Sequence, residues 1–146
     1  MEGRKFLMGS RYFFGCFKDY TSHDTDYIVL EDDPKDYKYV KNIRGNGLDI
    51  FYWRRLNPSE FISLTLSNGT PMQVGKFLIP EVVEALGFTI DDLRQLEPLF
   101  KRLDDKHKYE KIIYDSYLKN DKFSLTGEQR LKAYLEYRKY RPELYN

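Results

Sequence analysis

Apolar residues in the first third of the chain fall in short runs closed by turn residues. Further along they recur at helical spacing. The run Lys5-Phe6-Leu7-Met8, closed by Gly9, predicts a strand over 4–8. From Ser10 to about Lys18 the phenylalanines Phe13, Phe14 and Phe17 share one face of a 3.6-residue period, which predicts a helix. Residues 19–25 are polar and loop-like. Asp26 to Leu30 has the aromatic and β-branched character of a strand, and Glu31-Asp32-Asp33-Pro34 ends it, since proline cannot donate to a ladder. Tyr37 to Ile43 and Leu48 to Trp53 predict two more strands. Arg44-Gly45-Asn46-Gly47 between them forms a turn, because Gly and Asn tolerate positive φ.

Beyond residue 56 the pattern becomes helical. Asn57-Pro58-Ser59-Glu60 opens a helix to about Leu66, and Asn68-Gly69-Thr70-Pro71 is a turn. Residues 72–79 read equally as strand or loop. Ile79-Pro80 starts a short helix that stops at Gly87, and Thr89-Ile90-Asp91-Asp92 caps another to about Leu103. Residues 106–119 and 126–140 give two more. The last opens on Thr126-Gly127-Glu128-Gln129, a capping box, and its stripe is Leu131, Tyr134, Leu135 and Arg138. Tyr117, Tyr134, Tyr137 and Tyr140 read as packing positions with their hydroxyls at the surface. The fold class expected is α+β. A mixed sheet with an early helix fills 1–56, and a helical segment, 57–146, packs on it as one compact unit.

Composition narrows the classes. Apolar residues at 41% and aromatic ones at 16% place the chain among globular proteins. A net charge of +1 excludes whole-chain attraction to a polyanion, so binding of one has to be local. The single cysteine, Cys16, rules out an intrachain disulfide and favours a reducing compartment; it is expected as a small buried residue on the first helix. No basic-then-apolar leader opens the chain and no run approaches a membrane span, so a cytoplasmic protein without a membrane partner is expected. His23 and His107 have no companions at zinc-ligand spacing.

Candidate chemistry lies early. Asp24 and Asp26 are two apart at the start of a strand, so their side chains point to one face and converge. Converging carboxylates repel unless a cation sits between them, and magnesium commonly takes one or two carboxylates plus substrate phosphate. Asp49 lies within Leu48-Asp49-Ile50-Phe51-Tyr52-Trp53, where a charge is costly to bury without a partner. A site shared with Asp24 and Asp26 supplies one. In a two-metal displacement, one ion activates the attacking hydroxyl and the other holds the phosphate oxygens and the leaving group; Asp49 then assists deprotonation of the acceptor. Gly9-Ser10, separated from Asp24 by thirteen intervening residues, permits close backbone approach at a helix start that favours anions. Arg11, Lys18, Arg44, Arg54, Arg55 and Lys76 are further candidates for phosphate contact.

Gly9-Ser10, a helix-length gap, then Asp24-Thr25-Asp26 and Tyr27-Ile28-Val29-Leu30 resembles the signature of the DNA polymerase beta-like nucleotidyltransferase superfamily over roughly residues 5–53. The resemblance implies that Gly9 and Ser10, with Arg11, hold a nucleoside triphosphate. It implies that Asp24 and Asp26 bind magnesium, two ions in all, and that Asp49 completes the site. Thr25 stands where the family more often has an aliphatic residue, and His23 where a small or polar one is common; neither removes a ligand. The activity implied is transfer of a nucleoside monophosphate to an acceptor hydroxyl, on a protein, an RNA or a small molecule, with release of pyrophosphate. The helical remainder would help bind base or acceptor. Two other classes compete: the same fold kept as a catalytically silent nucleotide-binding or regulatory, antitoxin-like module, and a helical protein-interaction module on a sheet that is only scaffold.

Overall fold

The computed structural model describes residues 4–22, 24–31, 40–54, 59, 62–63 and 78–145. The fold is α+β and divides into two compact units, Met1–Leu56 and Asn57–Asn146. The first contains β1 (Arg4–Met8), α1 (Ser10–Phe14), β2 (Thr25–Glu31), β3 (Val40–Gly45) and β4 (Leu48–Arg54). Its four strands form a mixed sheet in the order β1-β2-β4-β3. β2 runs antiparallel to β1 and parallel to β4, and β3 closes the sheet as an antiparallel hairpin with β4. Phe6 and Met8 of β1 and Ile28 and Leu30 of β2 alternate along one face and are buried, as the two-residue period requires.

Three expectations change here. The first helix ends at Phe14, not near Lys18. Phe13 and Phe14 are buried, and after Gly15 the chain continues through tight i→i+3 bonds, Phe17 N–H to the Phe14 carbonyl and Tyr20 N–H to the Phe17 carbonyl. Cys16 therefore lies beyond the helix and is exposed, not buried upon it. The β3–β4 turn is also shorter than four residues. Asn46 at φ 52° and Gly47 at φ 73° make the two-residue turn whose twist suits a hairpin, so Arg44 and Gly45 join the ladder. Residues 37–39 of the strand expected there lie outside the described residues.

The second unit is helical: α2 (Pro80–Ala85), α3 (Ile90–Arg94), α4 (Glu97–Phe100), α5 (Lys108–Asn120), α6 (Gly127–Lys139) and α7 (Pro142–Tyr145), with a 3₁₀ turn over Asp105–His107. The helix expected over 57–66 (apart from Ser59, Ile62 and Ser63, which are helical), the turn at 68–71 and residues 72–77 lie outside the described residues. The capping box predicted at Thr126 forms with Gln129, and the cap predicted at Thr89 is a second such box, with Asp92. The helix expected from Thr89 to Leu103 is instead two, because Pro98 has no N–H to give to the preceding turn and falls in the first turn of a new helix.

Two tyrosine hydroxyls of α5 tie this unit together from inside. Tyr114 donates to the Leu93 carbonyl at 2.8 Å, and Tyr117 donates to the Leu78 carbonyl at 2.6 Å. The Tyr117 hydroxyl is thus internal rather than at the surface. Phe100 stacks on Tyr114 with ring centroids 4.1 Å apart. On α6 the buried stripe is Ala133, Tyr134 and Tyr137, whereas Leu131 and Leu135 are exposed. Arg141 seals the end of the stripe with its guanidinium 3.9 Å from the Tyr137 ring centroid. None of the described helices is long and apolar enough to cross a membrane.

Candidate functional site

Asp26 and Asp49 are partners in the parallel register of β2 and β4. Residues paired across neighbouring strands project to the same face, so these two carboxylates stand side by side. Met8 on β1 pairs with Asp26, and Arg44 on β3 pairs with Asp49. One row across all four strands therefore reads Met8, Asp26, Asp49, Arg44. The Thr25 N–H donates to the Gly47 carbonyl at 2.7 Å, which ties the start of β2 to the hairpin turn in keeping with this register.

Asp49 is buried, at 7% exposure. Arg44 Nε donates to Asp49 Oδ1 at 3.0 Å, and the two side chains differ sharply in exposure, 74% for Arg44 against 10% for Asp49. Asp24 lies one residue ahead of β2 and is exposed. Its backbone N–H donates to Ser22 Oγ, and its carbonyl accepts from the same hydroxyl at 2.8 Å. The structure thus brings Asp26 and Asp49 together and leaves Asp24 at the solvent edge just before them. Among the described residues, no three His, Cys, Asp or Glu side chains gather closely enough to hold a metal ion.

Gly9 connects β1 to α1 at φ 72°, ψ −156°, a region that side chains other than glycine's scarcely enter. A Cβ at this position would lie 2.9 Å from Asp26 Oδ2. Gly9 is therefore required twice, by its backbone angles and by the carboxylate against it. The first α1 bonds run from the Tyr12 and Phe13 N–H groups to the Gly9 carbonyl, so the Ser10 and Arg11 N–H groups precede the helical ladder. Ser10 Oγ and Tyr20 Oη share a hydrogen bond of 2.7 Å, and the Arg11 guanidinium lies 5.9 Å from the Tyr20 ring centroid. Tyr20 had no signal in the sequence. The opposition of Arg44 to Asp49 did: counting outward from a two-residue Asn46-Gly47 turn sets Gly45 against Leu48 and Arg44 against Asp49. Of the remaining basic candidates, Lys18 is exposed, while Arg55 and Lys76, like His23, lie outside the described residues.

No protein-family model, no curated protein and no solved structure matches this chain.

Proposed function

We propose that this chain is a magnesium-dependent nucleotidyltransferase of the DNA polymerase beta-like kind, moving a nucleoside monophosphate from a triphosphate to an acceptor hydroxyl with release of pyrophosphate. The observation that carries this reading is the in-register pairing of Asp26 with Asp49, with the Gly9 backbone against Asp26. Two neighbouring carboxylates are an unfavourable pair by themselves and a suitable one for magnesium, which needs only one or two carboxylates beside substrate phosphate. Asp26 and Asp49 would hold the ion, and Asp24, exposed immediately before them, would close on it from the solvent side. Magnesium bound there neutralises phosphate charge and favours the ionised acceptor hydroxyl. The chain's own part is positional. Gly9 gives the Asp26 carboxylate room against the backbone, Ser10 and Arg11 would offer N–H groups to the phosphates ahead of the helical ladder, and Asp49 would draw the acceptor proton.

The test is pyrophosphate release from nucleoside triphosphates, across protein, RNA and small-molecule acceptors, by the wild type and an Asp24→Asn, Asp26→Asn double variant. Release by the wild type alone supports the proposal, and equal release by both removes it. Magnesium-dependent nucleotide binding without release, lost in the double variant, assigns the site to a silent nucleotide-binding module instead.

A further inference from the structure

Resting on that reading of the site, we infer that Arg44 is a built-in stand-in for the divalent cation. It holds Asp49 while the carboxylates are without metal, and turns to the phosphates of the nucleotide once they are claimed. The argument lies in the asymmetry of the pair. Asp49 is buried and fixed on a strand, whereas the Arg44 side chain is mostly in water. For Arg44, exchanging this contact for solvent is nearly neutral, as for any surface ion pair. For Asp49 it leaves a buried charge without a partner beside a second carboxylate, which is strongly unfavourable. Arg44 can therefore leave only when another cation arrives, and it is then free to leave at little cost.

Its attachment fits that role. The described hydrogen bond uses Nε alone, so the Nη groups carry no hydrogen bond among the described residues. A guanidinium with its outer donors facing solvent, at the rim of a carboxylate pair, suits the flat two-point contact that phosphate oxygens offer. Arg44 is thus a positioning residue. Before metal it partners the buried Asp49, and afterwards it helps seat the triphosphate.

The test uses the full chain, with Mn²⁺ alone as the probe, in Arg44→Gln, Arg44→Lys and Asp26→Asn variants. Removing a positive charge next to the bound ion should tighten Mn²⁺ binding about tenfold at low salt in Arg44→Gln, while Arg44→Lys stays near wild type. The melting temperature of Arg44→Gln should be lower than wild type without metal and equal to it at saturating Mn²⁺, a rescue that also decides the case if this variant folds poorly on its own. A non-hydrolysable triphosphate with Mn²⁺ should bind Arg44→Gln several-fold more weakly than wild type. Unchanged or weaker Mn²⁺ binding in Arg44→Gln, or a melting deficit that metal does not reduce, makes Arg44 a structural ion pair and overturns the inference alone, provided wild-type binding depends on Asp26. Failure of the wild type to bind Mn²⁺, or binding that survives Asp26→Asn, overturns the metal site and the inference together.

Discussion

Gly9→Ala is the substitution whose cost the structure defines most closely. An alanine at φ 72°, ψ −156° carries backbone strain of about 1–3 kcal/mol. Its Cβ would also sit 2.9 Å from Asp26 Oδ2, so the carboxylate must turn away by a few tenths of an ångström, at about 0.5–1.5 kcal/mol if the side chain leaves its rotamer. Together these give a loss of about 2–4 kcal/mol. Gly87→Ala serves as a comparison in which no side chain is displaced. Gly87 also has positive φ, at 78°, but a Cβ there meets nothing within 4 Å, so it carries only the backbone term of about 1–2 kcal/mol. Urea unfolding followed by circular dichroism, and by the fluorescence of the single Trp53 carried on β4, measures both variants. The same proteins titrated with Mn²⁺ read the site. Displacing Asp26 should weaken binding by at least about tenfold in Gly9→Ala and leave Gly87→Ala like wild type. If the two variants lose equal stability and bind Mn²⁺ equally, the closeness of Gly9 to Asp26 has no part in holding that carboxylate.

In the helical unit, Tyr117→Phe removes the donor to the Leu78 carbonyl and should cost about 1–3 kcal/mol by denaturant unfolding, since the acceptor stays buried. The corrected stripe of α6 makes Ala133→Leu destabilising by about 1–3 kcal/mol through overpacking, while Leu135→Gln should stay within about 0.5 kcal/mol; the reverse order would restore the leucine stripe. Burial, reinforced by the Glu110 carboxylate, holds the Tyr109 hydroxyl well above its ordinary value, and burial pushes Tyr114 up to about 12. The unfolded chain thus ionises these tyrosines from about pH 10 while the folded one keeps their protons, so their contribution to stability is full below that pH and is lost as pH rises through the folded values. Urea midpoints measured on the alkaline side should fall with pH, and fall less steeply in Tyr109→Phe; parallel slopes would show that Tyr109 titrates alike in both states.

What the sequence yielded was whatever local chemistry decides. Thr126 and Gln129 cap a helix wherever it packs, and a hydroxyl three residues before an amide reads directly from the chain. Runs such as Tyr27-Ile28-Val29-Leu30 commit to a strand for the same reason. The pattern along the chain misleads where a distant partner or a single backbone atom decides. Which face of α6 is buried depends on what packs against it, and that leaves Leu131 and Leu135 exposed while Ala133, Tyr134 and Tyr137 are buried. Pro98 breaks a helix whose side-chain period is otherwise continuous. At the candidate site, the spacing of Asp24 and Asp26 was legible, but their pairing with Asp49 is a register between strands far apart in sequence. Nothing in the spacing of Asp24, Asp26 and Asp49 sets it; the parallel pairing of β2 with β4 along its whole length does.

That register is also what makes the row Met8, Asp26, Asp49, Arg44 hard to explain as architecture alone. Directly opposed like charges weaken a sheet, and they weaken it more where one of them is withdrawn from water, as Asp49 is. One step along the same face, β1 and β2 pair Phe6 with Ile28, an ordinary apolar contact. An apolar residue at position 49 would continue that surface and remove both the repulsion and the need for Arg44. The chain instead places a buried acid beside another, sets a glycine with a sterically demanding backbone against the second, and pairs the buried acid with a solvent-facing arginine. Local rules broken together at one row, each at some expense in stability, are expected where a site must bind something that the protein alone does not supply. The unfavourable charge pair, more than the spacing of the acids along the chain, is therefore the strongest physical support for a cation at this end of the sheet.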